Sequence, residues 1–193
     1  DIYGNPHYML DPLNHILMAR TIRDALKTVR PDQAGYFDER YQEFEARMKK
    51  KVAEWVTKMK PYQGTKVAGY HNVLPYFADR FGLEVIGYIE EKHGLSPSPS
   101  YTAKFIARMQ ETRTKLILVN TWAERQTVGT VARAAGAEVV VFPEWVRGVP
   151  DTADVFAAFD YRVNSVIAAL EKFAVASEAD NQTSSALSAR PSR

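Results

Sequence analysis

The amino-acid sequence predicts an α/β fold, in which a parallel four-stranded sheet is flanked by helices and preceded by one long helix. After Gly64, short apolar runs alternate four times with longer runs of helical period. Repeated strand–helix pairs of this kind are typical of a parallel sheet covered by helices. Between Phe37 and Met59, apolar residues recur at steps of three and four, which is the period of an amphipathic helix.

The N-terminal third is predicted to contain two helices. The first begins at Asp11, a favourable N-cap residue followed by Pro12 at the first helical position, and it ends at Pro31. The second extends from about residue 35 to residue 60, roughly 37 Å at 1.5 Å per residue. Its apolar stripe consists of Phe37, Tyr41, Phe44, Met48, Val52, Trp55 and Met59. Lysines and glutamates on the opposite side are expected to face solvent.

Four strand–helix pairs follow. The predicted pairs are 66–70 with 73–81, 83–89 with 101–112, 115–119 with 122–135, and 138–142 with 151–173. From Ala174 the chain is rich in Ser, Glu, Asn, Gln and Thr, and such a composition buries too little apolar surface to offset the entropy of ordering. We therefore expect residues 174–193 to be a disordered tail.

Composition excludes several classes of function. The 193 residues carry 25 Lys and Arg against 23 Asp and Glu, a formal charge of +2, which gives no electrostatic reason to expect a nucleic-acid partner. No cysteine is present, so disulfides, cysteine zinc sites, iron–sulfur clusters and thiol nucleophiles are excluded. The sequence contains no run of about 18 apolar residues, the length that a membrane-spanning helix needs.

The four histidines are the candidate ligands. His71 directly follows the first predicted strand, and side chains at the carboxyl ends of parallel strands face the ligand crevice; a histidine that merely hydrogen-bonds a loop is the alternative. His7 lies just upstream of Asp11 in a loop. His15, inside the first helix, and His93, in a charged loop, are expected to be half-exposed or solvated. Their spacing matches no local metal motif.

Signals for catalysis are weak. The sequence contains no dinucleotide fingerprint, P-loop or nucleophile elbow. Glu90 and Glu91 form an acidic pair, but adjacent carboxylates at a strand end are more often surface residues than an acid–base pair. The residues alone indicate an α/β lobe with two histidines at suggestive positions.

Four short segments carry a resemblance to a known family: NPHYMLDP at 5–12, YHNVLPYF at 70–77, GLSPS at 94–98 and ARAAGA at 132–137. In this order they resemble segments of the zinc- and manganese-binding solute-binding proteins of ABC importers. The first resembles the family's Asp-Pro-His-x-Trp-Leu-Asp-Pro stretch, with Asn5 in place of Asp and Met9 in place of Trp. The resemblance extends from about residue 4 to residue 173.

This resemblance implies the domain organisation. In that family a long, rigid helix joins two α/β lobes, and the metal lies between them. Residues 1–34 would then be the end of the N-terminal lobe with the metal-site loop, 35–62 the backbone helix, 63–173 the C-terminal α/β lobe and 174–193 the tail. On this resemblance, we expect the sequence to be a C-terminal portion that lacks most of the first lobe and the family's first histidine ligand.

The resemblance also implies the site and the function. His7 and His71 would be metal ligands, and Glu144 is the carboxylate near the position of the family's late aspartate. The ion, Zn²⁺ or Mn²⁺, would be transported cargo. We expect no enzymatic activity, a periplasmic or extracellular, membrane-associated location, and delivery of the ion to the membrane subunits of an ABC permease. The uncovered cleft face offers a dimer interface.

Two alternatives stay open from the sequence. A zinc-dependent hydrolase would hold the metal with His7, His71 and Glu144 and use Glu90 or Glu91 as general base. A non-metal, adhesin-like interaction module would bind no ion.

Overall fold

The computed structural model describes residues 4–188, with side chains for residues 4–173, and confirms the predicted fold class. The helices are α1 Asn14–Val29, α2 Ala34–Met59, α3 Pro75–Phe81, α4 Pro99–Glu111, α5 Arg125–Ala135 and α6 Val155–Ser188. The strands are β1 Lys66–Gly69, β2 Glu84–Tyr88, β3 Leu116–Val119 and β4 Glu138–Val141. Each predicted strand–helix pair is therefore present, with strands shorter by one or more residues.

The order of the strands in the sheet indicates where a ligand site is expected. All pairings are parallel, in the order β2-β1-β3-β4. The chain moves to one side from β1 to β2 and crosses to the other side for β3, so the direction of winding changes between β1 and β3. In open α/β sheets, ligands bind beyond the carboxyl ends of the strands at such a switch point. His71 follows β1 and Asn120 follows β3, so both lie at this position.

Helices cover both faces of the sheet. On one face the core combines α2, α3 and α6, and on the other it combines α4 and α5. β3 is buried along its whole length, as expected of a central strand in a parallel sheet. The two cores explain why the strand segments read as short continuous apolar runs.

The long helix packs on the lobe through its second half. Met48, Val52, Trp55 and Met59 are buried. The indole of Trp55 lies 5.3 Å from the ring of Phe159 in α6, and its Nε1 donates a hydrogen bond to Asp160 Oδ1 at 2.7 Å. The first half of α2 packs instead against α1.

Helix α1 begins two residues later than the sequence predicts, at Asn14 instead of Pro12. Asp11 Oδ1 accepts a hydrogen bond from the Leu13 backbone N–H at 3.0 Å, and both carboxylate oxygens accept from the Arg80 guanidinium at 2.6 and 2.8 Å. The Asp11 carboxylate thus anchors the turn that precedes the helix. Residues 8–10 form a short 3-10 turn ending at the buried Leu10.

The C-terminal helix continues into the region predicted to be disordered. The backbone of α6 extends to Ser188, within the segment 174–193 for which the composition predicts a disordered tail; residues 189–193 lie outside the described residues. Neither Gly nor Pro occurs from residue 151 to residue 190, so nothing in the sequence breaks the helix. Among the helices that the structure describes, none has the length and apolarity needed to cross a bilayer.

Candidate metal centre

His7 and His71 meet although 64 residues separate them in the sequence. Their ring centroids are 5.4 Å apart, with the ring planes at 82°. Both line an open cavity of about 870 Å³ beyond the strand ends, together with Glu90 and His93. Two of the three predicted site residues therefore share one cavity.

The loop that carries His7 is tied to the lobe by polar contacts. Asn5 Nδ2 donates to the Asn72 carbonyl at 2.8 Å, and the Tyr76 hydroxyl donates to the Asn5 carbonyl at 3.2 Å. The ion pair of Asp11 with Arg80 attaches the far end of the same loop to α3. Several independent contacts thus hold His7 beside the end of β1.

Asn5 also selects the tautomer of His7. Its Oδ1 accepts a hydrogen bond from the His7 backbone N–H at 2.9 Å and lies 3.0 Å from the ring Nδ1. Since an amide oxygen only accepts, Nδ1 carries the proton and Nε2 keeps a free lone pair. Burial, followed by repulsion from His71 and His93, lowers the pKa of His7 below its ordinary value. A neutral ring with a free nitrogen is the form that binds metal.

His71 is held by a buried carboxylate. Glu90, whose side chain is only 5% exposed, pairs through Oε2 with Nδ1 of His71. Its other oxygen accepts from the Gly94 backbone N–H at 2.7 Å. The His93 ring lies 4.7 Å from the His71 ring, and its Nδ1 is 3.9 Å from Glu90 Oε2. The donor atoms of His71, Glu90 and His93 all lie within 4.8 Å of one another.

Glu90 and His93 lie beside His71, which the sequence does not predict. Glu90 was expected at the surface, but its backbone N–H donates to the Tyr70 carbonyl at 2.9 Å, which places it beside His71. His93 is exposed, as expected, yet its ring contacts His71. In the sequence, residue types that bind metals follow both strands: His71 follows β1, and Glu90 and His93 follow β2. This pattern predicts a shared site only if β1 and β2 are neighbours in the sheet, which the structure shows.

Glu144 lies at the adjoining strand ends, beyond β4. Its Oε1 accepts hydrogen bonds from Asn120 Nδ2 and, at 3.2 Å, from Trp122 Nε1. Burial raises its pKa, and the hydrogen bond from Trp122 opposes that shift. The Trp122 ring centroid is 5.5 Å from that of His71. Trp122 therefore links Glu144 to His71, and the carboxylate is already engaged by two donors.

The segment around Glu144 is supported from below by a buried arginine. Arg162 Nε donates to the Pro143 carbonyl at 2.7 Å and Nη2 to the Glu144 carbonyl at 2.8 Å. Burial lowers the pKa of Arg162 to about 10. Within the described residues, Asn120 Oδ1 is buried without a hydrogen-bond partner. This side of the site is thus rigid and polar.

Comparison with known proteins gives a family match for most of the chain. Residues 3–167 match the family described as ZnuA, zinc-uptake complex component A, periplasmic. The high-affinity zinc uptake system protein ZnuA of Yersinia pestis is 26% identical over 113 residues, which cover 58% of this chain and 33% of that protein. The matched region thus spans about a third of the length of this curated relative.

Solved structures share the fold. The solute-binding protein FpvC of Pseudomonas aeruginosa, in complexes with Ni²⁺ and with Mn²⁺, superposes with a TM-score of 0.73 at 22% identity; the match covers 87% of this chain and 63–64% of FpvC. The laminin-binding protein Lmb of Streptococcus agalactiae, described as having adhesin and metal-transporting activity, has a TM-score of 0.73 at 19% identity and covers 86% of this chain and 63% of Lmb. The relatives named here are uptake, solute-binding or adhesin proteins and not enzymes.

Proposed function

The chain belongs to the ZnuA family, the periplasmic component A of zinc-uptake complexes, and on that premise we propose that it is the C-terminal portion of a receptor that captures a divalent metal ion. The ion is Zn²⁺ or Mn²⁺, bound outside the cytoplasm and delivered to an ABC permease in the membrane. The observation that carries this proposal is the convergence of His7 and His71 at one cavity, 5.4 Å between ring centroids.

The ring separation suits a shared ion. Imidazole nitrogens bind Zn²⁺ at about 2.0–2.1 Å, so two rings on a tetrahedral ion have centroids about 5 Å apart. His7 offers Nε2, because its Nδ1 is occupied by Asn5. Neutral imidazoles suit Zn²⁺, and open positions accept carboxylate oxygen, which Mn²⁺ also favours.

Glu144 is the carboxylate ligand that the family resemblance implies. Its raised pKa reflects a buried charge, which a nearby cation would stabilise. Trp122 lies between Glu144 and His71: its Nε1 donates to Glu144 Oε1 at 3.2 Å, and its ring centroid is 5.5 Å from that of His71. We therefore propose that a carboxylate completes the histidine pair, and Glu144 is the carboxylate that the family resemblance implies.

The same proposal includes a longer, two-lobe protein. On α1, Leu17, Ile22, Leu26 and Val29 are between 41% and 73% exposed, although their spacing is that of an interface. A first lobe would cover them. In this chain by itself, the same face offers an interface for a second copy.

Metal titration of histidine variants tests the function. His7→Ala and His71→Ala are expected to weaken Zn²⁺ binding, measured by calorimetry, at least as much as the roughly 10–100-fold loss that follows removal of an outer-shell partner. His15→Gln is the matched control, since His15 packs on Phe159 and hydrogen-bonds Met9. Unchanged affinity in both alanine variants would overturn the proposal.

A further inference from the structure

The loop after β2 brings two more ligand-type side chains to the cavity. Glu90 and His93 lie on this loop, and the donor atoms of His71, Glu90 and His93 fall within 4.8 Å of one another. Donors on a tetrahedral Zn²⁺ at about 2.0–2.2 Å lie about 3.3–3.6 Å apart. The 3.9 Å from His93 Nδ1 to Glu90 Oε2 is close to that spacing, and the ring of His7 lies on the same cavity, 5.4 Å from that of His71 between centroids.

The charge of Glu90 calls for a cation. Its side chain is 5% exposed, and its only ion-pair partners among the described residues are His71 and His93. A buried carboxylate is costly unless it is paired with a full charge or with a metal. A divalent ion beside Glu90 would supply the missing positive charge.

The backbone of the loop after β2 holds Glu90 and His93 on the same side, towards His71. Gly94 has φ +74°, a backbone conformation that suits glycine, and its N–H donates to Glu90 Oε1. This bond leaves Oε2 to face the two imidazoles. The His93 side chain is 79% exposed, and its ring centroid lies 4.7 Å from that of His71. In the proposed site, His93 is therefore the ligand whose exposed surface decreases when an ion binds.

We propose, building on the proposed function, that Glu90 and His93 join His7 and His71 around one Zn²⁺. The chain then supplies three nitrogens and one oxygen from this portion alone. The ion takes the place of the direct contact between His71 and Glu90. Glu144 stays with Asn120 and Trp122 in this arrangement, so Glu90 and Glu144 are competing assignments for the carboxylate ligand.

The test uses Zn²⁺ alone with the full 193-residue chain. We expect His93→Ala and Glu90→Gln each to weaken Zn²⁺ binding by about tenfold or more, measured by competition with a chromophoric chelator. Glu91→Gln is the matched control: it removes the same charge one residue away, from a carboxylate that bonds Ser98. Circular dichroism of the metal-free variants checks folding, because Glu90 is buried.

Co²⁺ substitution gives a second readout. Four-coordinate Co²⁺ absorbs visible light far more strongly than six-coordinate Co²⁺, so loss of the His93 or Glu90 ligand should weaken or shift the visible bands. The His93 side chain is exposed in the metal-free protein, so the His93→Ala variant should fold normally. This variant tests the proposal even if Glu90→Gln does not fold.

The outcomes separate this inference from the proposed function. Parent-like affinity and Co²⁺ spectra in His93→Ala and Glu90→Gln, with binding lost in His7→Ala and His71→Ala, would overturn the inference and leave the proposed function standing. Loss of binding in Glu144→Gln but not in Glu90→Gln would also overturn it, by giving the carboxylate position to Glu144. Parent-like binding in both His7→Ala and His71→Ala would overturn the proposed function and the four-ligand site that rests on it.

Discussion

The α/β lobe and the helical arm, which we define as α1 with the first half of α2 (residues 14–46), use their apolar side chains differently. In the lobe, the residues of β3 and the inward faces of α3 and α5 are buried. In the arm, Ile16 is the one residue of α1 that is buried, and Leu26 and Val29 are exposed. Both regions show the periodicity of amphipathic helices in the sequence.

The difference teaches what periodicity measures. An apolar stripe identifies the side chains that gain from burial, but burial itself requires a second surface. In the lobe, the sheet and five helices provide that surface for one another. In the arm, α1 contacts mainly α2, so its outer side is left to a further partner, which the proposed function identifies as a first lobe.

The largest change in stability should be the difference between substitutions in the second and in the first half of α2. Trp55→Ala removes a fully buried indole and its hydrogen bond to Asp160, and we expect it to lower the free energy of unfolding by about 3–5 kcal/mol. Tyr36→Ala, at a position that is 58% exposed, should change it by less than about 0.5 kcal/mol. Urea denaturation followed by circular dichroism measures both. Equal losses would contradict the contrast between arm and lobe.

A smaller effect is expected at the joint between the two regions. Asp11→Ala removes the bidentate partner of Arg80 and the acceptor for the Leu13 N–H, which should lower the free energy of unfolding by about 2 kcal/mol. Zn²⁺ affinity should fall as well, because the same loop carries His7. Asp32→Ala, which breaks an exposed pair with Arg30, is the control and should leave denaturation nearly unchanged. A variant of Asp11 with parent-like stability would show that the loop is held without this ion pair.

The pH dependence of metal-free stability gives a third, weaker comparison. Burial lowers the pKa of His15, opposed by its hydrogen bond to the Met9 carbonyl. Since the unfolded ring protonates near its ordinary pKa of about 6.5, the unfolded state binds more protons just below that pH, and stability falls as pH falls through this window. His15→Gln should therefore reduce the slope of unfolding free energy between about pH 7 and pH 5.5.

His7 limits how far that slope can flatten. Its pKa is also lowered, so its titration contributes in the same direction and a residual slope should persist in His15→Gln. The double variant His7→Gln with His15→Gln should be flatter than either single variant. A slope in His15→Gln identical to that of the parent would show that His15 does not couple protonation to folding.

The smallest effect on stability should come from the outer face of the arm. Ile22→Gln and Leu26→Gln replace exposed apolar side chains and should change the free energy of unfolding by less than about 0.5 kcal/mol. They should lower self-association, measured by sedimentation velocity, if this face pairs two copies. Lys50→Gln, on the charged side of α2, is the control. A decrease in the free energy of unfolding as large as that of Trp55→Ala would mean that Ile22 and Leu26 are already buried in the protein in solution.

Much of the fold could be predicted from the sequence. The period of three and four from Phe37 to Met59 located α2, and alternating short and long apolar runs located four strands and their helices. These patterns are local, so they are readable along the chain. Beyond residue 173 the sequence is ambiguous, because its polar composition predicts a disordered tail while the absence of Gly and Pro permits a helix.

The candidate site could be predicted only in part. His7 and His71 were singled out by motif resemblance and by position at a strand end, and their roles as ligands, like that of Glu144, stay predictions. The sequence predicts surface positions for Glu90, as one of two adjacent carboxylates at a strand end, and for His93, in a charged loop. Their proximity to His71 follows from the pairing of β1 with β2, which no local pattern specifies.

The sequence by itself determined which segments form helices and strands, and which of their faces are apolar, because both depend on short-range spacing. The tertiary structure decided the strand order β2-β1-β3-β4, the contact of His7 with His71, the burial of Glu90 and the exposure of α1. Each of these depends on contacts between distant segments, whose free energies are settled only when the whole chain packs.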